Sequence, residues 1–217
     1  MKAAVVLAGC GVMDGTEIHE AVMTLYAIEN NGGTFEIFAP NVAQHHVINH
    51  LTGEVMTESR NVLTEAARIA RGKIRALTEY RAEEFDMLIF PGGFGVAKNL
   101  CTYAFDGPEC HVDRVVEDAI RSTHKAGKPI GALCISPVLI ARVLGNITVT
   151  IGTDAATAAD IAILGGRHEN KNHGEVSVDR KNMIATAPCY MLNATLPEIA
   201  RDADAVVRAL KELSGKK

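Results

Sequence analysis

The chain has 217 residues, of which 47% are hydrophobic and 22% charged, with a formal net charge of -4. That length and apolar content suffice for a core and argue against disorder, while a mildly acidic surface without a basic stripe argues against nucleic acid or an anionic membrane as partner. The five cysteines, at positions 10, 101, 110, 134 and 189, form no C-x-x-C pair, which fits reduced thiols better than a disulfide framework or a structural zinc site.

The apolar run 2–8 predicts a first strand. It is too short to span a bilayer and unlike a signal peptide, so a cytoplasmic protein is expected. After a glycine-rich loop at 9–15, residues 17–30 place Ile18, Ala21, Val22, Leu25 and Ile28 on one helical face. Residues 34–39 read as a second strand stopped by Pro40, and the polar stretch 41–57 as a loop or short hairpin. Val62, Ala66, Ile69 and Ala70 keep helical spacing. A strand at 86–90 runs into Pro91-Gly-Gly-Phe-Gly95, and a helix at 112–125 is closed by Gly127. An apolar strand then ends at Cys134 and feeds a helix. A short strand at 148–151, a helix at 157–164, a hairpin at 176–186 around Arg180-Lys181-Asn182 and a helix at 196–213 complete the chain. Apolar strands alternating with amphipathic helices predict an α/β fold: a single-domain, three-layer, flavodoxin-like sandwich over 1–217 with a mostly parallel sheet and right-handed crossovers.

In such a sheet ligands bind beyond the carboxyl ends of the strands, where three loops carry chemistry. Ala132-Leu-Cys134-Ile-Ser136 is small-x-Cys-x-small, the thiol counterpart of a nucleophile elbow. Amides opening the following helix favour thiolate over thiol, so Cys134 is expected to have a pKa below the usual ~8.5 and to react before the other thiols. Cys10, at the end of the first strand, is the alternative thiol. In Pro91-Gly-Gly-Phe-Gly95 the missing side chains let a backbone amide approach a substrate oxygen. Glu17 and Glu20, with His19 between them, stand in the first turns of a helix, where a buried carboxyl suits proton shuttling. Lys98 and Asn99 are expected to cap or pack the pocket wall. The 9–15 loop lacks G-x-G-x-x-G spacing and the chain has no G-K-[ST], so nucleotide binding has little support. His45, His46 and His50 read as a solvated loop rather than a metal site, and His173-Gly-Glu175 as exposed loop.

GCGVMDGTEIHEAV, VINHLTGEVMTESRNVL, PGGFGVAKNL, LCISP and TIGTD together resemble the bacterial ElbB family, within the PfpI branch of the class I glutamine amidotransferase-like superfamily. The similarity spans nearly the whole chain. It implies a nucleophile at Cys134, a pocket glutamate at Glu20 with Glu17 as competitor, and oxyanion donors at the amides of Gly93 and Ile135, with Gly92 beside them. Many relatives carry His where this chain has Ile135, and others carry one near Asp154, which places Asp154 near the pocket and leaves a Cys-Glu dyad rather than a triad. The activity implied is a glutathione-independent glyoxalase, free of metal and organic cofactor, that converts a small α-oxoaldehyde, glyoxal or methylglyoxal, to glycolate or lactate. A homodimer is the expected assembly, and the family is associated with isoprenoid biosynthesis. Two rivals are a redox-sensing or regulatory protein using the same thiol, accessory to isoprenoid biosynthesis, and a binding module that merely retains the pocket.

Overall fold

The computed structural model describes residues 1–215. Among them the strands are β1 (Lys2–Val6), β2 (Thr34–Ala39), β3 (Arg75–Ala76), β4 (Met87–Phe90), β5 (Ile130–Leu133), β6 (Thr148–Val149), β7 (Arg167–His168), β8 (Ser177–Asp179) and β9 (Ile184–Ala187). The helices are α1 (Ile18–Asn30), α2 (Val62–Ile69), α3 (Tyr103–Asp106), α4 (Arg114–Lys125), α5 (Ser136–Leu144), α6 (Ala155–Ile163) and α7 (Leu196–Leu213). One sheet runs in the order β3-β2-β1-β4-β5-β9-β8, parallel throughout except where β8 pairs antiparallel with β9. This is the expected three-layer, mostly parallel α/β fold.

Successive strand residues face opposite layers, which explains why the central strands are apolar without alternation. In β1, Ala4 and Val6 join the core formed with α4 and α5, while Ala3 and Val5 join the core formed with α1, α2 and α7. Chain order reverses between β1 and β4, so the loops after those strands open a crevice at the carboxyl edge of the sheet. The candidate site occupies that crevice.

The structure departs from the sequence expectations in three places. The short strand expected at 148–151 covers only Thr148–Val149, and this β6 pairs with β7 in a separate two-stranded sheet. Thr148 and Thr150 amides are taken by the side chains of Asp179 and Thr186, which holds β6 beside β8 and β9 without ladder pairing. In α1, Ile18 and Val22 are exposed, whereas Glu20 and Thr24 are buried beside Ala21, Ala27 and Ile28. The helix is rotated from its most apolar orientation because Glu20 is drawn under the sheet edge by backbone donors described below. The segment 168–175 is not simply an exposed loop, since His168 lies in β7 and His173 is pinned to α7.

That pin is Asp202, a fully buried residue of α7. Its carboxylate accepts from His173 Nδ1 at 2.8 Å, from the Gly174 amide at 2.5 Å and from the Cys189 amide at 3.1 Å. Burial opposes charge on His173, but its bonds to Asp202 and the Asn193 carbonyl outweigh this and raise its pKa above the ordinary 6.5. The same contact fixes the turn that carries Tyr190 into the site. Asp202→Ala leaves the buried Cys189 amide and the Gly174 amide without this partner and is expected to cost about 3 kcal/mol, a fall in Tm of roughly 10 °C by thermal unfolding. An unchanged Tm would show that water replaces the carboxylate.

Candidate active site

Strand β5 ends at Leu133 and α5 begins at Ser136, so Cys134 takes the turn between them with φ of 58°. A left-handed backbone costs a non-glycine residue about 1–3 kcal/mol, and here it lifts the side chain off the sheet toward the crevice. The turn is anchored on both sides. The Cys134 amide donates to the Ala187 carbonyl at 3.1 Å, and Ser136 Oγ donates to the Pro91 carbonyl at 2.8 Å.

The loop after β4 packs directly against this elbow. A Cβ on Gly92 would stand 2.4 Å from Cys134 Cβ, 2.9 Å from its sulfur and 2.6 Å from Glu20 Oε2, so only glycine fits there. Gly93 has φ of 104°, and a Cβ on it would strike the Glu17 amide at 2.4 Å. The loop is stitched to the first glycine-rich loop by Glu17 N–H donating to the Gly92 carbonyl at 2.9 Å and Gly95 N–H donating to the Gly15 carbonyl at 2.8 Å. Val96–Leu100 forms a π-helical turn, from which Lys98 Nζ donates to the Met13 carbonyl and Asn99 Nδ2 donates to the carbonyls of Ala8 and Asp14. Lys98 and Asn99 therefore brace the first loop.

Glu20 is fully buried and faces Cys134. Its Oε2 accepts from the Gly92 amide at 2.8 Å and its Oε1 from the Tyr190 amide at 3.2 Å. Burial nevertheless dominates: against those two bonds, and with Glu17 adding to the effect, the carboxyl is pushed from 4.5 up to about 8. Glu17 does not compete for this place. It caps α1 one turn earlier, with Oε2 accepting from the Glu20 amide at 2.7 Å and Oε1 3.6 Å from His19 Nδ1.

The expected low pKa of Cys134 is not what the structure supports. Burial first, then the nearby Glu20, push the thiol well above 9.0, although the amides of Gly93 and Ile135 at the sulfur pull the other way. The helix N-terminus loses to desolvation. The thiol with a depressed pKa is Cys110, brought to about 7 by hydrogen bonding with Cys101 against its own burial, with help from Arg142. Cys134 is thus a protonated thiol beside a carboxyl whose ionisation lies near neutrality, so the proton leaves sulfur for Glu20 rather than for water.

Two further sequence expectations are corrected. Gly92, expected among the oxyanion and substrate-binding residues, is not itself a donor, because its amide is spent on Glu20; the Gly93 and Ile135 amides point at the sulfur. Cys10 does not share the pocket, since its neighbours are Glu65, Arg68, Asp14 and Arg60 on the α2 side of the first loop. His173 is held by Asp202 and lies outside the pocket, in keeping with the sequence reading that gave it no part in the site. Asp154 does line it, while capping α6 through the Thr157 amide at 2.8 Å. The sequence reading missed Tyr190, which supplies an amide to Glu20 and a phenol that meets His19 Nδ1 at 2.9 Å. Cys189 beside it has φ of 43°, a turn that no local motif announces. Among the described residues no group of three or more His, Cys, Asp or Glu could hold a metal, and the Met13 amide donates to His50 Nε2.

The raised Glu20 pKa makes stability depend on pH. The folded protein holds a proton that the unfolded chain releases above about 4.5, so the contribution is fully present below that value and is lost as pH rises through about 8. The total over that interval is on the order of 5 kcal/mol. Glu20→Gln should flatten the slope of unfolding free energy between those limits, measured by urea titration at several pH values; an unchanged slope would place the carboxyl at an ordinary pKa.

No protein-family model matches the chain. The human glutamine amidotransferase-like class 1 domain-containing protein 3, mitochondrial, is 48% identical over 99% of this chain and 84% of its own length. The rat ES1 protein homolog, mitochondrial, is 47% identical over 99% and 85%. Among solved structures, an isoprenoid biosynthesis protein with amidotransferase-like domain from Ehrlichia chaffeensis has a TM-score of 0.92 at 37% identity, covering 98% of this chain and 99% of its own. Glyoxalase III from Candida albicans shares the fold, with a TM-score of 0.61 at 13% identity over 96% and 97% of the two chains. The mitochondrial names of the close relatives overturn the expectation of a cytoplasmic protein, which rested only on reading the first apolar run as a strand. With this identity over almost its whole length, the chain belongs to the class I glutamine amidotransferase-like family that includes the ES1 proteins.

Proposed function

We propose that the chain is a cofactor-independent glyoxalase that converts an α-oxoaldehyde, of which glyoxal and methylglyoxal are the simplest, to the 2-hydroxy acid. The observation that carries this reading is the pairing of Cys134 with a fully buried Glu20 whose pKa is about 8. A carboxyl poised near neutrality both accepts and returns a proton at useful rates, which the chemistry demands twice.

The reactive form is the one in which Glu20 has ionised, a fraction that grows as pH approaches about 8; in it the Cys134 proton passes to Glu20 as sulfur bonds to the aldehyde carbon and the carbonyl electron pair moves onto oxygen. The Gly93 and Ile135 amides that face the sulfur stand where they can donate to that oxyanion, support of a kind worth roughly 3 kcal/mol per donor. Once the oxyanion takes the Glu20 proton, the adduct is a neutral hemithioacetal and Glu20 is again a base. It then removes the hydrogen from the same carbon to give an enediolate and delivers it to the neighbouring carbon, while the hydroxyl proton of the first carbon passes to the oxygen of the second, leaving a thioester of the 2-hydroxy acid. Water hydrolyses the thioester, releasing the acid and restoring the thiol. The sum is aldehyde plus water to hydroxy acid, with no net oxidation or reduction. The raised pKa of Cys134 favours this coupled route over a redox sensor, which needs a standing thiolate.

Chromatographic detection of lactate from methylglyoxal without glutathione tests the proposal, since substrate loss alone also follows from trapping by any thiol. Cys134→Ser should lower turnover by at least about 10³-fold with the fold retained, and Glu20→Gln should accumulate a Cys134 adduct visible by mass spectrometry while releasing little lactate. In the native protein kcat/KM should rise about tenfold per pH unit below about 8 and level off above it. Lactate formation that survives Cys134→Ser would overturn the mechanism.

A further inference from the structure

Resting on the glyoxalase reading, we infer that the site selects an uncharged carbonyl compound with an apolar side chain and rejects anionic ones, with Asp154 as a specificity-determining residue. The cavity over Cys134 has a volume of about 390 Å³. That falls within the roughly 300–1,000 Å³ of sites that enclose drug-sized ligands, and is several times what methylglyoxal fills. Beyond the reacting groups its walls are mainly apolar: Val12, Phe94, Ala97, Ile135 and Met191.

Charge acts in the same direction. Among the described residues no Lys, Arg or His lines this cavity, while the acidic side chains of Glu17 and Asp154 do. Hydrogen bonds from Thr157 hold the Asp154 pKa below its usual value, so it is ionised at neutral pH. Lys98, 5.5 Å from the Phe94 ring centre, has its Nζ committed to the Met13 carbonyl at 2.8 Å, and His19, behind the lining residues, is engaged with the Tyr190 phenol and Glu17. A carboxylated or phosphorylated aldehyde would therefore lose its hydration, find no counter-ion and face like charge. The same field helps expel a carboxylate product. It leaves room for a neutral chain or ring against the Phe94 wall.

Two measurements test this, and the first does not depend on turnover. The purified protein is alkylated with iodoacetate, iodoacetamide or N-phenyliodoacetamide. In each case sulfur displaces iodide, a C–S bond replacing the C–I bond while the thiol proton leaves. Cys134 labelling is resolved by peptide mass spectrometry, and rates are normalised to 2-mercaptoethanol. Iodoacetamide should exceed iodoacetate by at least about tenfold, and N-phenyliodoacetamide should be faster than iodoacetamide. Asp154→Asn, which keeps the helix cap, should narrow the charge ratio several-fold. Second, kcat/KM for phenylglyoxal should exceed that for methylglyoxal by about tenfold, the difference lying mainly in KM. Equal normalised rates for iodoacetate and iodoacetamide, no effect of Asp154→Asn on their ratio, or faster turnover of methylglyoxal than phenylglyoxal would each overturn the inference. If no aldehyde yields a 2-hydroxy acid while the alkylation order holds, the glyoxalase reading fails and the selectivity stands.

Discussion

The site depends on the burial of one carboxyl. Glu20 is fully enclosed between the end of β4, the elbow after β5 and the turn at Tyr190, and each of its oxygens meets one backbone amide. Those bonds make the position tolerable for a carboxyl, while desolvation keeps its proton held to about pH 8. Around it the other features follow as geometric necessities. Gly92 has no side chain because that volume is already occupied by the thiol and the carboxyl, and Cys134 accepts a left-handed backbone because only that turn brings sulfur to the same point.

This arrangement uses binding energy from distant parts of the fold. Tyr190 reaches Glu20 because Asp202, in the last helix, holds the preceding Cys189 amide and the His173 loop together. The first glycine-rich loop is held from the other side by Asn99 and Lys98, and Ala8 N–H donates to Thr16 Oγ1 at 2.6 Å. A site assembled from four chain segments is preorganised at the cost of internal strain, which is what differential stabilisation of a reaction intermediate requires. The strained residues Cys134 and Cys189 flank the carboxyl, whereas the helices behind them carry ordinary caps.

Much of this was legible in the sequence because the signals are local. Alternation of apolar runs with helical spacing gave the sheet, and the small residues at Ala132 and Ser136 marked the elbow at Cys134. The choice of Glu20 over Glu17 came from resemblance rather than from periodicity, which placed Ile18 and Val22 on the buried face; the helix is instead turned toward a polar contact that no hydrophobic pattern encodes. Tyr190 and Asp202 were invisible for the same reason: the Tyr190 amide meets the Glu20 carboxyl across 170 positions of chain, and the Asp202 carboxylate meets the Cys189 amide across 13, contacts in which one partner is backbone. The acidity of Cys134 was misjudged because a helix N-terminus is readable from sequence, while complete desolvation and a carboxyl at contact distance are properties of packing.

Below about pH 8 Cys134 and Glu20 both hold their protons, and the first to leave, near pH 8, comes from the carboxyl and not the thiol. Infrared difference spectroscopy of the pH titration reads this directly, because the protonated carboxyl C=O band and the S–H band are separate. A carboxyl band from Glu20 should be present at about pH 6, vanish with a midpoint near 8 and be missing in Glu20→Gln, while the S–H band persists through that change and shifts as its partner ionises. Absence of both bands at about pH 6 would show an already ionised pair and contradict the account.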